Sequence, residues 1–485
     1  MRTTILFFLL IFTLGFLLAG CYGMRRSRGG GQIKTQAPRS INPADIALPD
    51  GYRIEAVATG LTFPSGITFD DQNHPYVIES GYSYGEVWLE PRLLRLDDGN
   101  KIIPIATGEK NGPWTGVEFY KGQFYVAEGG QAEGGKILRI GQDGKMTALV
   151  RNLPSFGDHH TNGPAIHEGY LYFGQGTATN AAVVGTDNAE FGWLTRHPEF
   201  HDIPCRDVTL SGQNFTSDNP LTAQKGDQAT TGAYVAFGQS TQPGQVIKGQ
   251  VPCSGSIMRI PLSGGEPELV AWGLRNPFGL GFSADGRLYV SDNAFDDRGN
   301  RPVWGVGDVL WEIKTGAWYG WPDYSAGIAL SSDVEFKPPG HTRPKAVLLK
   351  APDEVPAPVA VLGVHASADG FDFSRSDRFG HRDEIFIALF GDMAPGVGKV
   401  LSPVGFKIQR VNVKTGVIND FAVNKGHKNG PASWLKKGGL ERPLSLHFDQ
   451  TGDALYIVDF GIMTTGKAGP VPVPKTGVIW KITKT

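Results

Sequence analysis

The sequence has no surplus of charge of either sign. Its 46 Lys and Arg residues face 48 Asp and Glu residues, so the formal net charge is −2. A protein that binds nucleic acid through the phosphates needs concentrated positive charge, so this balance excludes that class of function. Charged residues make up 19% and hydrophobic residues 40% of the chain, which is enough apolar material for a large folded core.

Cysteine is also scarce, with three residues in 485. No CxxC, CxxCH or HExxH pattern occurs, which argues against a covalently attached c-type haem and against the zinc-protease motif. Cys205 and Cys253 flank a stretch that is rich in glycine and polar residues. Because disulfides persist in exported proteins, we expect these two cysteines to be joined and to staple one long insertion.

The apolar run near the start, from Ile5 to Ala19, is too short for a typical membrane-spanning helix. It ends in Leu18-Ala19-Gly20-Cys21, which resembles a bacterial lipoprotein signal whose cysteine is acylated after cleavage. We therefore expect a signal peptide over residues 1–20, lipidation of Cys21 and a flexible tether over residues 21–44. The folded part would then lie in the periplasm, attached to a membrane. An uncleaved anchor with an incidental cysteine is the alternative.

Glycine, by contrast, is abundant: 66 residues, about twice the ordinary share of roughly 7%. One pattern occurs six times: a small-residue turn, an alternating strand, a second turn and a strand of the type Tyr-Val-x-acid. A third strand follows each pair. The six copies begin at Ser65, Thr115, Asn162, Phe278, Asp369 and Leu444.

Repeated groups of three or four short antiparallel strands are typical of a β-propeller. We therefore predict an all-β fold, a six-bladed β-propeller over residues 45–485. The spacing between copies three and four predicts an insertion in blade three over about residues 181–250, which by composition should form ordered loops and no second core. A β-sandwich or an array of small β domains is the alternative.

The repeat also predicts where a site would lie. In an antiparallel pair, the start of the first strand and the end of the second lie at the same end. Polar residues at these positions should therefore surround one mouth of the central channel. They are Trp114, His160, Arg275, Asn276, His365 and Arg442 before the first strands, and Glu79, Glu128, Gln175, Asp292, Asn293 and Asp459 after the second strands. Each carboxylate has a second interpretation, as a turn cap or a staple between blades.

Five stretches carry a family resemblance: Asp158–Gly163, Gly273–Leu280 with its Leu-Arg-Asn-Pro, Asp308–Ile313, Tyr319–Pro322 with its Tyr-Gly-Trp-Pro, and His365–Phe371. Over about residues 45–483 the chain resembles the soluble quinoprotein glucose/sorbosone dehydrogenase family, and the stretch in blade five is closer to the sorbosone-dehydrogenase-like branch. The family consists of six-bladed propellers that carry pyrroloquinoline quinone (PQQ) and Ca²⁺.

The resemblance implies roles for individual residues. It places the catalytic base at His160, with His159 as the alternative one residue away. It assigns Arg275 to charge stabilisation on the quinone oxygen and, together with Asn276, Asn293 and Arg442, to cofactor binding. The backbone carbonyls of Ala294 and Phe295 would bind Ca²⁺, which prefers oxygen ligands.

Two features depart from the family. The loop after Asp292 is longer and lacks the Gly-Pro that follows in the glucose enzymes, and one position in blade five differs. Where the glucose enzymes have a lysine that contacts the cofactor, this chain has Leu389-Phe390-Gly391-Asp392. The resemblance nevertheless implies a PQQ-dependent oxidoreductase of carbohydrate metabolism. It would oxidise a sugar or a related aldehyde or alcohol and pass electrons to a separate acceptor, a cytochrome or a quinone. Two alternatives are a Ca²⁺-dependent lactonase-type hydrolase, with the ring of carboxylates as metal ligands, and a non-catalytic propeller that binds carbohydrate or protein.

Overall fold

The structure is a computed structural model. The predicted signal peptide and Cys21 lie outside the residues that it describes. Within those residues, no helix is both long enough and apolar enough to cross a membrane. The described residues are 38–83, 87–190, 192–332, 335–338, 340–394, 396–398, 400–466 and 469–485.

Six antiparallel sheets form the predicted six-bladed β-propeller, and each copy of the sequence repeat supplies the first two strands of one blade. The chain enters through a 3-10 helix (Pro43–Asp45), β1 (Ile46–Ala47) and β2 (Tyr52–Leu61). Blade 1 comprises β3 (Pro64–Phe69), β4 (Pro75–Glu79), a small hairpin of β5 (Tyr82–Ser83) and β6 (Val87–Trp88), β7 (Arg92–Asp97) and β8 (Lys101–Thr107). Blade 2 comprises β9 (Trp114–Tyr120), β10 (Gln123–Glu128), β11 (Gly135–Gly141) and β12 (Met146–Leu153).

Blades 3 and 4 carry the long insertions. Blade 3 comprises β13 (Thr161–His167), β14 (Tyr170–Gln175), β19 (Ser256–Pro261) and β20 (Glu268–Trp272). Between β14 and β19 lie α1 (Thr186–Glu190), α2 (Trp193–Arg196), β15 (Val208–Thr209), β16 (Asn214–Asp218), β17 (Gln228–Gly232) and β18 (Val246–Ile247). Blade 4 comprises β21 (Asn276–Phe282), β22 (Leu288–Asn293), β23 (Gly307–Glu312), a hairpin of β24 (Tyr324–Ser325) and β25 (Ile328–Ala329), and β26 (Ala360–Val364).

The last two blades include strands from both ends of the chain. Blade 5 comprises β27 (Ala368–Phe373), β28 (Ile385–Leu389), β29 (Lys407–Val411) and β30 (Ile418–Asn424), with β1 added at its edge. After α3 (Ala432–Leu435), blade 6 comprises β31 (Pro443–Phe448), β32 (Ala454–Asp459), a hairpin of β33 (Met463–Gly466) and β34 (Gly469–Pro472), and β35 (Gly477–Lys484). Its fourth strand is β2, so the N-terminal part of the chain closes the ring.

The glycines of the repeat allow the first strands of the blades to approach closely around the channel. These six strands are neighbours in a closed ring. A Cβ atom on Gly116 would lie 2.1 Å from the carbonyl oxygen of Gly163 in the next blade, and one on Gly279 would lie 2.5 Å from that of Asp369. Since no side chain fits at such distances, the high glycine content follows from the packing of the ring.

The expectation that the blade-three insertion contains no second core is wrong. Buried apolar residues of this insertion pack with residues from the loops of blade 4, including Trp318, Trp321 and Val347. Tyr234 meets Trp321 edge to face, with ring centroids 5.8 Å apart. A disulfide joins Cys205 to Cys253, whose Cα atoms are 5.1 Å apart. The two insertions thus form one small cap with its own apolar core.

The last residues of the predicted tether pack against the propeller. The side chain of Arg39 is 2% exposed and forms an ion pair of 2.7 Å with the buried Asp459. It also donates to the carbonyls of Gly439 and Thr476. Within residues 21–44, the described part from residue 38 onward is therefore attached to blade 6.

Candidate active site

The strand register brings the predicted polar positions to one mouth of the channel. Trp114 at the start of β9 faces Glu128 at the end of β10. In the same way, Asn276 of β21 faces Asn293 of β22. Arg275, His365 and Arg442 stand directly before or close to the first strands of their blades, at this same end.

The carboxylates at this mouth accept hydrogen bonds from groups of their own blades. Glu128 accepts hydrogen bonds from the side chains of Asn111 and Trp114 at 2.7 and 3.0 Å. Asp292 accepts from the backbone N–H groups of Arg275 and Asn276. Burial raises the pKa of Asp292 to about 7. These groups act as turn caps, as the second interpretation of the sequence proposed.

The Arg275 guanidinium is buried, and each of its three nitrogens donates at least one hydrogen bond. Its Nε donates to the carbonyl of Asn180 at 3.2 Å, and its Nη1 donates to the carbonyl of Asn293 at 3.3 Å. Its Nη2 donates to Asn180 Oδ1 at 3.0 Å and to Asp296 Oδ2 at 2.7 Å. An arginine has five N–H donors, so these four bonds leave one N–H on Nη1 for a ligand.

Asn276 and Asn293 belong to a chain of amides that links three blades. Asn162 Nδ2 of blade 3 donates to Asn276 Oδ1 at 3.0 Å. Asn276 Nδ2 in turn donates to Asn293 Oδ1 at 2.7 Å, and Asn293 Nδ2 donates to the carbonyl of Ala368 at 2.9 Å. Asn276 and Asn293, which the resemblance assigns to the cofactor, thus fix the spacing of blades 3, 4 and 5.

The two adjacent histidines have different surroundings. His160 is engaged by Gln131, whose Nε2 lies 3.0 Å from His160 Nε2. Burial lowers the pKa of His160 to about 4, although a hydrogen bond to the backbone of Ser155 opposes this shift. The His160 ring therefore contacts blade 2, through Gln131 of the loop between β10 and β11.

His159 bonds to Thr177, whose N–H donates to the carbonyl of Arg275 at 2.8 Å. His159 Nδ1 lies 2.9 Å from the carbonyl of Thr177, so the proton is on Nδ1 and the lone pair is on Nε2. Burial lowers the pKa of His159 well below its ordinary value, and the charges of Arg275 and Arg298 lower it further. Through Thr177, the structure links Arg275 to His159, the residue next to the predicted base.

A network of charges fastens the blade-three insertion to this mouth. Arg298 forms ion pairs with Asp158 at 2.8 Å, with Asp187 of α1 at 2.5 Å and with Asp296 at 2.9 Å. Burial opposes ionisation of Asp296, but Arg275 and Arg298 outweigh it and hold the pKa of Asp296 below its ordinary value. Burial raises the pKa of Asp158 to about 6.

His365 stands beside this network with one nitrogen unbonded. Its Nδ1 lies 3.6 Å from Asp296 Oδ1, and its buried Nε2 has no hydrogen-bond partner among the described residues. Its backbone has φ +57°, a left-handed conformation that is uncommon outside glycine. Burial lowers the pKa of His365, while Asp296 opposes the shift.

The carbonyls of Ala294 and Phe295, predicted to bind Ca²⁺, follow directly after β22. No hydrogen bond from a described residue reaches either carbonyl oxygen. The N–H of Ala294 is fixed by Asp308 Oδ1 at 2.9 Å. Within the described ranges, no group of three or more His, Cys, Asp or Glu side chains is arranged to hold a metal ion.

Arg442, predicted to bind the cofactor, donates hydrogen bonds to backbone carbonyls of the protein. Its Nη1 donates to the carbonyls of Gly391 at 2.9 Å and of Asp392 at 3.3 Å. Its guanidinium carbon lies 4.9 and 5.0 Å from the ring centroids of Phe390 and Phe406. Burial lowers its pKa to about 10. The segment that departs from the family is therefore the segment that holds Arg442.

Three residues of the mouth were not predicted from the sequence: Asn180, Asp296 and Arg298. All three lie in insertions, outside the repeat that located the other positions. The concentration of Asp and Arg in Asn293–Arg301 is a sequence signal for Asp296 and Arg298, whereas no such signal points to Asn180.

The fold is shared with solved structures of low sequence identity. A Trichoderma reesei enzyme of Carbohydrate-Active Enzymes Family AA12, in a calcium structure, matches with a TM-score of 0.55 and 16% identity over 93% of this chain and 100% of its own. The holo form of the PQQ domain of pyranose dehydrogenase from Coprinopsis cinerea matches with a TM-score of 0.54 and 14% identity over 93% and 98%. The apo form of a soluble aldose sugar dehydrogenase from Escherichia coli matches with a TM-score of 0.50 and 14% identity over 90% and 100%.

No family model matches the sequence, and no curated protein matches it. At identities of 14–16% the structural similarity establishes the propeller fold alone.

Proposed function

We propose that the protein is an extracytoplasmic oxidoreductase that uses PQQ and Ca²⁺ to oxidise a sugar or a related aldehyde or alcohol. The observation that carries this proposal is that Arg275 and His159 lie together at the channel mouth, where both bond to Thr177. Arg275 keeps one N–H for a ligand, and His159 keeps a lone pair on Nε2. The matching propellers described as a PQQ domain of pyranose dehydrogenase and as an aldose sugar dehydrogenase support it.

The donor set fits these cofactors. The remaining N–H of Arg275 suits a quinone oxygen, because a guanidinium stays cationic at every relevant pH. The carbonyls of Ala294 and Phe295 offer the hard oxygen ligands that Ca²⁺ prefers. Arg442 is bonded to blade 5, so it would act on the carboxylates of PQQ only through its net charge.

When bound, PQQ supplies a quinone that takes a hydride from the substrate carbon. The chain contributes a proton acceptor and a fixed positive charge. Nδ1 of His159 is held by Thr177, so Nε2 is oriented to receive the hydroxyl proton of the substrate. The burial and the neighbouring arginines that lower the pKa of His159 keep it neutral, and so able to accept a proton, well below pH 6.5.

The decisive experiment is a titration of the purified protein with PQQ in the presence of Ca²⁺, followed by dye reduction with a panel of aldoses and sorbosone. We expect stoichiometric binding and turnover. His159→Ala should lower kcat by roughly 10²–10⁴-fold, the usual effect of a general base, while the matched variant His160→Ala should lower it much less. A greater loss of kcat in His160→Ala would identify His160 as the base, as the resemblance implies. A folded protein without saturable PQQ binding would refute the oxidoreductase.

We also propose that Cys21 is lipidated and that the propeller is thereby tethered in the periplasm, where a separate cytochrome or quinone takes the electrons. The sequence Leu18-Ala19-Gly20-Cys21 supports this proposal. In a bacterial host, the wild-type protein should fractionate with membranes and the Cys21→Ser variant should not. Equal membrane association of both would favour an uncleaved anchor.

A lactonase-type hydrolase is disfavoured by the contacts at the mouth. The carboxylates that would be its metal ligands already accept hydrogen bonds within their blades, as Glu128 does from Asn111 and Trp114. A non-catalytic binding propeller would be the conclusion if PQQ does not bind and no lactone is hydrolysed.

A further inference from the structure

Asn180 lies at the centre of the contacts around Arg275. It belongs to the blade-three insertion, between β14 and α1, and is 3% exposed. Its backbone carbonyl accepts from Arg275 Nε and its Oδ1 accepts from Arg275 Nη2. Two of the four protein hydrogen bonds of that guanidinium therefore end on a single residue.

The side chain of Asn180 also fixes the other partner of Arg275. Its Nδ2 donates to the carbonyl of Asp296 at 2.9 Å, and its Oδ1 accepts from the N–H of Asp296 at 2.9 Å. The amide thus pairs with the backbone of Asp296 in both directions. Because the carboxylate of Asp296 holds Arg275 Nη2, Asn180 positions the arginine both directly and through this aspartate.

Asn180 is in turn held by the cap. Its carbonyl accepts from Trp321 Nε1 at 3.2 Å, and its Nδ2 lies 3.2 Å from the carbonyl of Arg298. Trp321 belongs to the Tyr-Gly-Trp-Pro stretch and packs in the apolar core that both insertions share. The position of Asn180, and with it that of Arg275, is therefore set by the cap.

We propose that Asn180 is a positioning residue of the reaction, which restrains Arg275 so that a single N–H faces the ligand. This inference rests on the proposed function. A restrained guanidinium with one open donor recognises one carbonyl-type oxygen, whereas the two parallel bonds of an arginine to a carboxylate need two open donors. Arg275 would thus bind a carbonyl oxygen of the ligand, and any carboxylates of the ligand would bind elsewhere in the site.

The test compares Asn180→Ala with Asn188→Ala. Asn188 is buried in the same insertion and donates to Asp158 but does not touch Arg275. We expect Asn180→Ala to lower kcat by roughly 10- to 100-fold, the cost of a misplaced catalytic group, with a much smaller change in KM for the sugar. Asn188→Ala should leave kcat within a few-fold of wild type, although its stability falls.

A second readout needs no cofactor. In ¹⁵N spectra of the apoprotein, the Arg275 Nη2–H resonance, assigned by its loss in Arg275→Lys, should exchange slowly with water, because Nη2 donates to Asn180 Oδ1. Exchange should accelerate in Asn180→Ala and stay slow in Asn188→Ala. If Asn180→Ala does not fold, Asn180→Ser, which also cannot reach Nη2, takes its place. Unchanged exchange together with unchanged kcat would overturn the proposal, whereas absence of PQQ binding by the wild type would refute only the proposed function.

Discussion

At the scale of the residue, burial decides the protonation of many acids in this protein. Asp202 of the insertion accepts from the N–H of Ala178 and from Thr179 Oγ1, and no cation among the described residues is paired with it. Burial raises its pKa to about 7. Burial likewise raises the pKa of Glu441, which accepts from Ser433, to about 7. Such acids serve as hydrogen-bonding groups that fold most easily in the neutral form.

Asp202→Asn should therefore change the pH dependence of stability. The pKa of Asp202 is about 7 in the folded state and near 3.8 in the unfolded state. The protonated side chain therefore stabilises the folded state fully below pH 3.8, and this stabilisation is lost as the pH rises through about 7. The shift corresponds to about 4 kcal/mol, and the neutral amide avoids this loss. The free energy of unfolding of wild type minus that of the variant, measured from pH 4 to pH 8, should fall with rising pH. A flat difference would mean that Asp202 ionises as readily folded as unfolded.

Residue roles were only partly predictable from the sequence. Arg275 lies at the mouth as predicted, because its place depends on the register of the repeat. The choice between His159 and His160 depends on which way each side chain turns, and a motif alone does not determine that. The resemblance assigns Arg442 to the cofactor, and sequence reasoning gave no sign that the carbonyls of Gly391 and Asp392, from another blade, hold it.

At the scale of the element, the cap is the main departure from a plain propeller. Its apolar core combines residues from two insertions, such as Val208 and Tyr234 from blade 3 and Trp321 from blade 4. In the sequence these residues are scattered among Gly, Thr, Asn and Gln and follow no helix or strand period. Composition alone therefore predicted loops, because the pairing of the two insertions is a tertiary contact.

Removal of the disulfide should loosen this cap. The double variant Cys205→Ser/Cys253→Ser opens a loop with a sequence separation of 48 residues. A cross-link of this span typically contributes about 2–4 kcal/mol, mainly by restricting the unfolded chain. We expect the midpoint of thermal unfolding to fall in the variant and in reduced wild type. Reductant should have no effect on the variant, and an unchanged midpoint in reduced wild type would contradict the prediction.

At the scale of the whole molecule, the ring is predictable from the repeat, but its closure is not. Six copies in phase require six blades, whatever their loops contain. The fourth strand of blade 6 is β2, which pairs with β35 from the opposite end of the sequence, Tyr52 facing Lys484. β2 precedes the first copy of the repeat, so a search for the repeated pattern does not find it.

The closure of the ring is stabilised by the buried ion pair between Arg39 and Asp459. The Arg39 side chain reaches Asp459 at the end of β32, and Asp459 also accepts from Trp480 Nε1 of β35. Arg39→Ala would leave the Asp459 carboxylate buried without its cation. Breaking a buried pair from one side costs roughly 3–5 kcal/mol, so denaturant unfolding should show a loss of that order.

Arg53→Ala provides the matched control for this prediction. Arg53 lies on β2 itself, but its side chain is exposed and donates only to Thr483 Oγ1 of β35. Its removal should cost less than about 1 kcal/mol, as is usual for an exposed contact. If both variants lose the same stability, the closure depends on the strand pairing of β2 with β35 and not on the Arg39 pair. A large loss confined to Arg39→Ala would show that the segment before the first blade holds the ring together.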